Sequence, residues 1–397
     1  MRQLILGLLF IHMLSLPSFS VAETYFPKKG QWLTVTADKA GFDKNKLIKA
    51  IEFAKANEST LPEQLAKYLD VRDLSKVRSM YQFTKEPFDE VIGPMKSRGE
   101  FTGIIIRNGY IVAEWGEPER VDMTHSISKT FLSSTAGLAF DRGLIKNIND
   151  LVKPYVPTEH FSGEHNSTIT WDHLLRQTSY WRGELWGKPD WADRPGKNTW
   201  AEFARETPPS GTTFKYNDVR VNVLALALLH VWRKPLPVVL KDLLMDPIGA
   251  SNTWRWHGYK NSWVNIDGQN IQSVSGGGHW GGGMFISARD LARLGLLAIN
   301  KGRWDGKTIL SEDWISKSRT PGIANPNYGY MNYFLNTHQT TLSDLPESSY
   351  YFAGAGSNVI FVDESKDLVI VVRWIDNKAL NEFFSQVRQA IILNHLR

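Results

Sequence analysis

The chain of 397 residues contains no cysteine, and its charges of one sign are not concentrated anywhere. The absence of cysteine excludes disulfides, thiol nucleophiles and thiolate metal sites. The net charge is +5 and the pI is near 9.1, but no run of five or more basic residues occurs. Scattered basic residues predict a solvated surface, so binding to nucleic acid has no support beyond the pI.

Long hydrophobic runs are also missing, except near the N-terminus. Arg2 precedes an apolar stretch over residues 4–14, and the small residues Ser20, Val21 and Ala22 follow it. This order predicts a secretory signal peptide over residues 1–22 and therefore a periplasmic or secreted protein. An uncleaved anchor helix is the alternative, although the stretch is shorter than the roughly 20 residues that a membrane span needs. No later segment is predicted to cross a membrane.

Hydrophobic spacing and turn residues predict a fold of the α/β class. The strongest local signal is Asn108-Gly109 between two β-branched runs, which predicts a hairpin over residues 103–115. Further strands are predicted at 328–335, 350–353, 358–362 and 368–374. Helices are predicted at 44–57, 126–141, 171–176, 219–232, 236–244, 288–300, 312–318 and 380–396, with a weak helical stretch at 65–69.

The strands thus occupy the two ends of the chain and the helices its middle. The economical arrangement is an antiparallel sheet made from the N-terminal hairpin and the C-terminal strands and flanked by helices. We expect residues 23–143 and 326–397 to form this sheet domain. Residues 144–325 are predicted to form an inserted, mostly helical domain.

The sequence around Ser126 contains a possible nucleophile pair. Ser126 and Lys129 are three residues apart at the start of an apolar helix, so both side chains lie on one face. A serine hydroxyl needs a base within hydrogen-bond reach, and burial encourages a lysine to lose its proton. The alternative is that Ser126 caps the helix while Lys129 extends to solvent.

Two later features favour chemistry at this pair. Tyr216 ends a loop rich in proline and glycine just before an apolar helix, and neighbouring cations would lower its pKa so that it exchanges protons. Residues 353–358 place small side chains inside a strand pair, where the backbone must approach something closely. A bound carbonyl oxygen is one candidate for that neighbour, and a plain tight turn is the other.

The order of Ser126-x-x-Lys129, Tyr216 and the glycine-rich strand resembles the serine β-lactamase and penicillin-binding-protein superfamily. The likeness is closest to the class C β-lactamase-related esterases and the 6-aminohexanoate-dimer hydrolases. It extends over most of the mature chain, with further matching segments at 170–179, 281–293, 302–307 and 361–363.

The resemblance implies roles for individual residues. Ser126 would be the acylating nucleophile, Lys129 its proton partner, and Tyr216 the general base or acid shared with the leaving group. The backbone N–H groups of Ser126 and Ala355 would form the oxyanion hole. Asp218 stands where the class C enzymes have an asparagine, so its role stays open.

The third superfamily motif, Lys-Thr-Gly, is absent, because residues 348–356 read Ser-Ser-Tyr-Tyr-Phe-Ala-Gly-Ala-Gly. Without that lysine the cationic contact to a β-lactam carboxylate is missing, which favours an esterase or amidase. The chain is therefore predicted to be a serine hydrolase that acts on a small ester or amide through an acyl-enzyme. The alternatives are a β-lactamase or D,D-peptidase, and a non-catalytic relative that binds a ligand or partner.

Substrate contacts are predicted from residues near these motifs: Tyr180, Trp181, Asp218, His279, Trp280 and Gly354. Trp186, Trp191 and Trp200 either wall an acyl pocket or pack the loop onto its own domain. Asp190 and Asp193 could meet a substrate amine, but surface solvation is the simpler interpretation. His160 and His165 flank Glu164 without a third ligand, so neither a metal nor a cofactor is predicted.

Overall fold

The structure is a computed structural model that describes residues 24–59, 88–194 and 206–392. The predicted signal peptide, the helical stretch 65–69 and Trp200 lie outside the described residues, as does the end of the predicted C-terminal helix.

The helices and strands follow the chain in the order that the sequence predicts, with additional strands in the middle. The helices are α1 (Lys44–Ala56), α2 (Ser128–Asp141), α3 (Trp171–Leu175), α4 (Asp218–Trp232), α5 (Leu236–Leu240), α6 (Ala288–Ile299), α7 (Glu312–Ser318) and α8 (Leu380–Gln389). The longer strands are β1 (Thr102–Arg107), β2 (Tyr110–Trp115), β6 (Arg255–Ile266), β7 (Gln269–Val274), β8 (Gly283–Ile286), β12 (Tyr350–Gly354), β13 (Asn358–Asp363) and β14 (Leu368–Arg373). The two-residue strands are β3 (Asp122–Met123), β4 (Glu184–Leu185), β5 (Lys188–Pro189), β9 (Arg303–Trp304), β10 (Lys307–Thr308) and β11 (Phe334–Leu335).

The two ends of the chain form one six-stranded antiparallel sheet in the order β11-β12-β13-β14-β1-β2. The predicted hairpin is present, and both Asn108 and Gly109 have the positive φ that its tight turn requires. Because β14 pairs with β1, the C-terminal strands join the N-terminal hairpin directly. The predicted fold class is thus confirmed.

Alternating side chains bury both faces of this sheet. Ile104 and Ile106 point into the larger core, whereas Ile105 points into a second core that also contains residues of α1 and α8. On the opposite face α6 packs so closely that a Cβ on Gly295 would lie 2.5 Å from Val369. The period of two along each strand therefore produces a sheet covered by helices on both sides.

The sequence analysis missed a second sheet in the middle region, with the order β3-β8-β6-β7. Its hairpin turns at Asp267-Gly268, and both residues have positive φ. The strand β6 is rich in polar residues and leaves Trp263 exposed, so it lacks the apolar alternation that predicts strands. The helices α3 to α7 lie in the same region, which therefore mixes helices with strands, and the domain boundaries themselves stay a prediction.

Several element boundaries differ from the prediction, and three of them concern the site or the ends of the sheet domain. Ser126 lies in a 3-10 turn, His125–Ile127, and the α-helix begins only at Ser128. The strand predicted at 328–335 is limited to Phe334–Leu335, because the preceding residues fold into a turn. The last helix ends at Gln389, after which Ile391 pairs with Phe42.

Among the described helices, no single one is long and apolar enough to cross a membrane. One bent pair, α4 with 236–245, satisfies length and composition only when the two are taken together across a bend of 74°.

Candidate active site

The turn that carries Ser126 is held on both sides by the strand β8. The Thr124 N–H and hydroxyl both donate to the Met284 carbonyl, each at 3.0 Å, and the Met284 N–H donates to Ser128 Oγ at 2.7 Å. His125 has a φ of 49°, a conformation that few residues other than glycine adopt. These contacts fix the direction in which the Ser126 side chain leaves the backbone.

Lys129 reaches Ser126 from one helical turn further on. Its Nζ donates a hydrogen bond of 2.9 Å to Ser126 Oγ, and the lysine side chain is 0% exposed. The alternative, in which Lys129 extends to solvent, is therefore excluded. The structure brings together the two side chains that the spacing placed on one face.

Asp218, the first residue of α4, forms a buried ion pair with Lys129. The Lys129 Nζ and Asp218 Oδ1 atoms are 2.5 Å apart, and the aspartate side chain is 2% exposed. Burial acts to raise the pKa of Asp218, but the positive charge of Lys129, with help from His279 and Arg194, holds it below its usual value. The sequence analysis expected burial to remove the lysine proton. That expectation did not include the buried carboxylate that lies against the lysine.

Tyr216 completes the set around Ser126. Its hydroxyl shares a hydrogen bond with Ser126, and its ring centroid lies 4.7 Å from Lys129 Nζ and 4.9 Å from Arg194 Cζ. Burial, together with the negative charge of Asp218, raises the pKa of Tyr216 far above its usual value despite Arg194. The expected lowering of this pKa is thus wrong, because burial outweighs the cations. Tyr216 is therefore a neutral phenol beside Ser126.

The glycine-rich strand end lies against the turn that carries Ser126. A Cβ on Gly354 would be 1.9 Å from the Thr124 carbonyl oxygen and 3.3 Å from the Ile127 nitrogen. The close neighbour that the small residues predicted is therefore the backbone of the turn. Ala355 is the residue that directly follows β12. The role of its N–H stays a prediction.

Comparison with known proteins identifies the family. The profile of the Beta-lactamase family matches residues 104–386, which is most of the chain. The chain belongs to the beta-lactamase family. This family consists of serine hydrolases, and Ser126, Lys129 and Tyr216 all lie within the matched span. None of the curated protein sequences compared with the chain matches it.

Solved structures agree with this assignment at the level of the fold. A family VIII carboxylesterase matches with a TM-score of 0.54 and 16% identity over 88% of this chain and 98% of its own. EstCE1, a hydrolase with promiscuous acyltransferase activity, matches with a TM-score of 0.54 and 15% identity over 74% of this chain and 93% of its own. A candidate 6-aminohexanoate-dimer hydrolase from Bacillus anthracis matches with a TM-score of 0.53 and 13% identity over 94% of this chain and 90% of its own. Identities this low show a shared fold only.

Within this beta-lactamase fold, two of the predicted substrate contacts are buried instead. Trp181 is 1% exposed, and its indole N–H donates to the His160 carbonyl at 2.6 Å. Trp280 is also 1% exposed and packs between the His279 ring and the ammonium of Lys188. The prediction that these two side chains contact substrate is corrected, because both fill the core beneath the site. A single sequence does not distinguish a buried tryptophan from one that lines a cleft.

The other predicted contacts divide between two clusters. His279 lies beside the ion pair, with its Nδ1 3.4 Å from Asp193 Oδ1. Tyr180 instead covers the guanidinium of Arg220, whose Cζ is 4.2 Å from the ring centroid. Arg220 in turn contacts Asp190 at 3.4 Å.

Asp190 and Asp193 are buried, not solvated at the surface as the sequence analysis expected. Asp193 Oδ2 accepts the backbone N–H of Asp218 at 2.5 Å, and Arg194 Nη1 lies 2.5 and 2.6 Å from its two oxygens. Arg194 and Gly277 were the neighbours of the site that the sequence analysis missed. A Cβ on Gly277 would be 2.4 Å from both Lys129 Nζ and Asp218 Oδ2. Only the glycine run near residue 277 hinted at such a close contact.

The same neighbourhood contains a spacing that a metal ion could use. Ligand atoms of Asp193, Asp218 and His279 lie within 4.8 Å of one another. Lys129 and Arg194 already neutralise the two carboxylates, so the cluster is a balanced charge network. His160 and His165 take other partners, the Thr158 hydroxyl and the Ser179 carbonyl.

Proposed function

We propose that this member of the beta-lactamase family hydrolyses a carboxylic ester or amide through an acyl-enzyme on Ser126. The observation that carries the proposal is the pair of contacts made by the Ser126 hydroxyl. Its Oγ accepts a hydrogen bond of 2.9 Å from Lys129 Nζ, and the hydroxyl shares a hydrogen bond with Tyr216. A serine hydroxyl held between a lysine amine and a tyrosine phenol is an arrangement suited to nucleophilic catalysis. Ser126 Oγ would attack the carbonyl carbon, and the leaving group would take its proton from this pair.

The oxyanion of the tetrahedral intermediate needs fixed N–H donors. The close packing of Gly354 on the Ser126 turn supports the backbone N–H groups of Ser126 and Ala355 in this role. A water molecule would then attack the carbonyl carbon of the acyl-enzyme. The bond from that carbon to Ser126 Oγ would break, and Ser126 would regain its proton. We propose a small ester or amide as the substrate class.

A β-lactamase or D,D-peptidase activity is the second candidate, and the chemistry of β12 weighs against it. The strand reads Tyr-Tyr-Phe-Ala-Gly and contains no lysine or arginine to meet a carboxylate. The names of the structural neighbours include both esterase and amidase activities, which supports general acyl transfer.

Active-site labelling tests the acyl-enzyme directly. We expect a fluorophosphonate probe to label the wild-type protein and not Ser126→Ala, with the added mass found on the peptide that contains Ser126. Ser133→Ala is a matched control, because Ser133 lies on α2, the helix that follows the Ser126 turn, and its Oγ has no hydrogen-bond partner within the described residues. Labelling that persists in Ser126→Ala would exclude the proposed nucleophile.

A substrate panel separates the candidate activities. Turnover of p-nitrophenyl esters or short amides, with an acyl adduct on Ser126 by mass spectrometry, would support the ester or amide hydrolase. Turnover of a chromogenic cephalosporin at a comparable rate would favour the β-lactamase. Failure to label and to turn over any of these compounds would favour a non-catalytic relative.

The N-terminal residues 1–22 support a periplasmic or secreted location for the enzyme. Fractionation of cells that produce the full chain tests this, since activity confined to the cytoplasmic fraction would contradict it.

A further inference from the structure

A continuous chain of polar contacts runs inward from Ser126 to Asp218. Lys129 Nζ is 2.9 Å from Ser126 Oγ and 2.5 Å from Asp218 Oδ1, so a single ammonium bridges the hydroxyl and the carboxylate. The backbone of Gly277 closes over the bridge, since a Cβ there would be 2.4 Å from both charged partners. Solvent is therefore kept from the inner end of the chain.

Acylation needs a group that accepts the Ser126 proton, and the immediate neighbours of Ser126 do not supply one. Tyr216 keeps its own proton, because burial raises its pKa. An ammonium paired with a carboxylate has no lone pair with which to accept. The Asp218 carboxylate, one step behind Lys129, is the base that the contact chain reaches.

We propose that Asp218 is the terminal proton acceptor of the acylation step, reached from Ser126 through the amine of Lys129. This inference rests on the proposed function. Asp218 acts through Lys129 and is therefore a positioning residue for the lysine, which it holds against Ser126.

The transfers balance within the site. As Ser126 Oγ bonds to the carbonyl carbon, its O–H bond breaks and the proton passes to Lys129 Nζ, while Lys129 passes another proton to Asp218. The carbonyl π electrons move to the oxygen, so the oxyanion replaces Asp218 as the negative charge and Lys129 stays an ammonium. On collapse, the bond to the leaving group breaks, Lys129 gives a proton to the leaving group, and Asp218 returns a proton to Lys129.

The groups that face Asp218 hold the carboxylate in place. Asp193 accepts the Asp218 backbone N–H, and Arg194 neutralises Asp193. His279, in the loop before β8, helps to lower the pKa of Asp218, and Tyr216 lies on the side of Ser126. His125 faces the pair from the turn, and burial lowers its pKa to about 4, so it is neutral at pH 7.

The pH dependence of Asp218→Asn tests the relay. The asparagine preserves shape but accepts no proton, so the Lys129 amine must first lose its own proton to act as the base. A buried lysine has a lowered pKa, but it still loses its proton at a higher pH than a carboxylic acid does, so we expect the acid limb of kcat/KM to move to higher pH. At pH 7 the rate of the Ser126-dependent esterase activity should fall about 10²- to 10⁴-fold, the usual contribution of general base catalysis. The rate should recover as the pH rises.

Two further results complete the test with variants. Asp218→Glu restores a carboxylate and should recover part of the pH 7 rate with the wild-type shape of the pH profile. A uniform loss in Asp218→Asn with an unchanged pH profile would overturn the relay in favour of a structural role. An unchanged rate would overturn it as well.

A measurement on the wild-type protein covers the case in which Asp218→Asn does not fold. In mixtures of H₂O and D₂O, two protons in flight during acylation produce a curved dependence of the rate on deuterium content, and one proton produces a straight line. A straight line would overturn the relay. If the wild-type protein is not labelled on Ser126 at all, the proposed function fails. Labelling on Ser126 with a straight line overturns the relay alone.

Discussion

Two buried ion pairs lie at the start of α4, two residues apart, and they differ in the kind of cation that each one uses. Asp218 pairs with Lys129 at 2.5 Å, next to the hydroxyl of Ser126. Arg220 contacts Asp190 at 3.4 Å and donates to the Trp181 carbonyl at 3.2 Å. The same helix end thus anchors one pair at the nucleophile and another beneath the loop that begins at Tyr180.

The two cations suit the two ion pairs to different purposes, one to chemistry and the other to structure. A lysine can give up a proton, whereas an arginine stays charged under all ordinary conditions and offers a rigid set of donors. The lysine pair therefore suits proton transfer. The arginine pair suits the attachment of a loop, since its donors reach a carboxylate and a backbone carbonyl together.

Of the variants that remove a buried charge, Lys129→Met should have the largest effect, because it changes both reactivity and stability. It removes the proton partner of Ser126, so labelling should slow by about 10³-fold or more. It also leaves Asp218 buried without a counter-ion, which should lower the free energy of unfolding by about 3–5 kcal/mol. Urea denaturation and labelling kinetics measure the two effects.

The double variant Lys129→Met with Asp218→Asn is the control for that experiment. It removes both charges, so most of the stability should return while labelling stays slow. Stability that does not return would mean that the Lys129 single variant lost packing and not charge balance.

Arg220→Met should have the next effect, and on stability above all. It leaves Asp190 facing the more distant Arg182, at 3.8 Å, in place of the closer Arg220, so the free energy of unfolding should fall by about 3 kcal/mol. At denaturant concentrations below the unfolding transition, the rate of labelling by a fluorophosphonate should change less than 10-fold. A 10-fold change in rate corresponds to about 1.4 kcal/mol, the free energy of one weak contact. A loss of labelling as deep as in Lys129→Met would remove the distinction between the two pairs.

Gly277→Ala should disturb the pair of Lys129 and Asp218 without touching the pair of Arg220 and Asp190. Its Cβ would need to displace Lys129 Nζ or Asp218 Oδ2, so labelling should slow by about 10-fold or more, with a stability loss of about 1–3 kcal/mol. Gly276→Ala is the matched control, because its Cβ would meet Val221 at 2.6 Å and not the ion pair. Equal slowing in both variants would contradict a specific effect on the pair.

His125 should produce the smallest effect, which appears only on acidification. Burial lowers its pKa to about 4, so the unfolded chain binds a proton more readily and stability falls as the pH drops from about 6.5 toward 4. The loss is at most about 3 kcal/mol and less where solvent reaches the ring. His125→Asn tolerates the positive φ and should show a shallower fall of Tm over this pH range. An identical fall in both proteins would assign the acid sensitivity to other groups.

The contrast between two hairpins shows which part of the fold could be predicted from the sequence. Both turn at a dipeptide that ends in glycine, Asn108-Gly109 and Asp267-Gly268, with positive φ at each residue. The first was predicted because β-branched residues flank it, and the second was missed because polar residues dominate β6. The turn signal is local in both cases, so the Asp-Gly pair alone would have justified the prediction.

The candidate site was predicted as far as local spacing and family resemblance reach. The spacing of Ser126 and Lys129 places both on one face of a helical segment, and the structure adds the contact of 2.9 Å. The direction of the pKa shift of Tyr216 was predicted wrongly, because it depends on burial and on Asp218. Trp181 and Trp280 were assigned to the substrate for the same reason, since burial arises only when distant segments pack.

The sequence determined the order of strands and helices, the Asn108-Gly109 hairpin and the pairing of Ser126 with Lys129, because each depends on residues within a few positions of one another. Only the tertiary structure decided that Asp218, 89 positions after Lys129, supplies the buried counter-charge at 2.5 Å. Electrostatic energies depend on distance and solvent exclusion in three dimensions, and neither is encoded in the local spacing of residues. The chemistry available to Ser126 is therefore a property of the packed site.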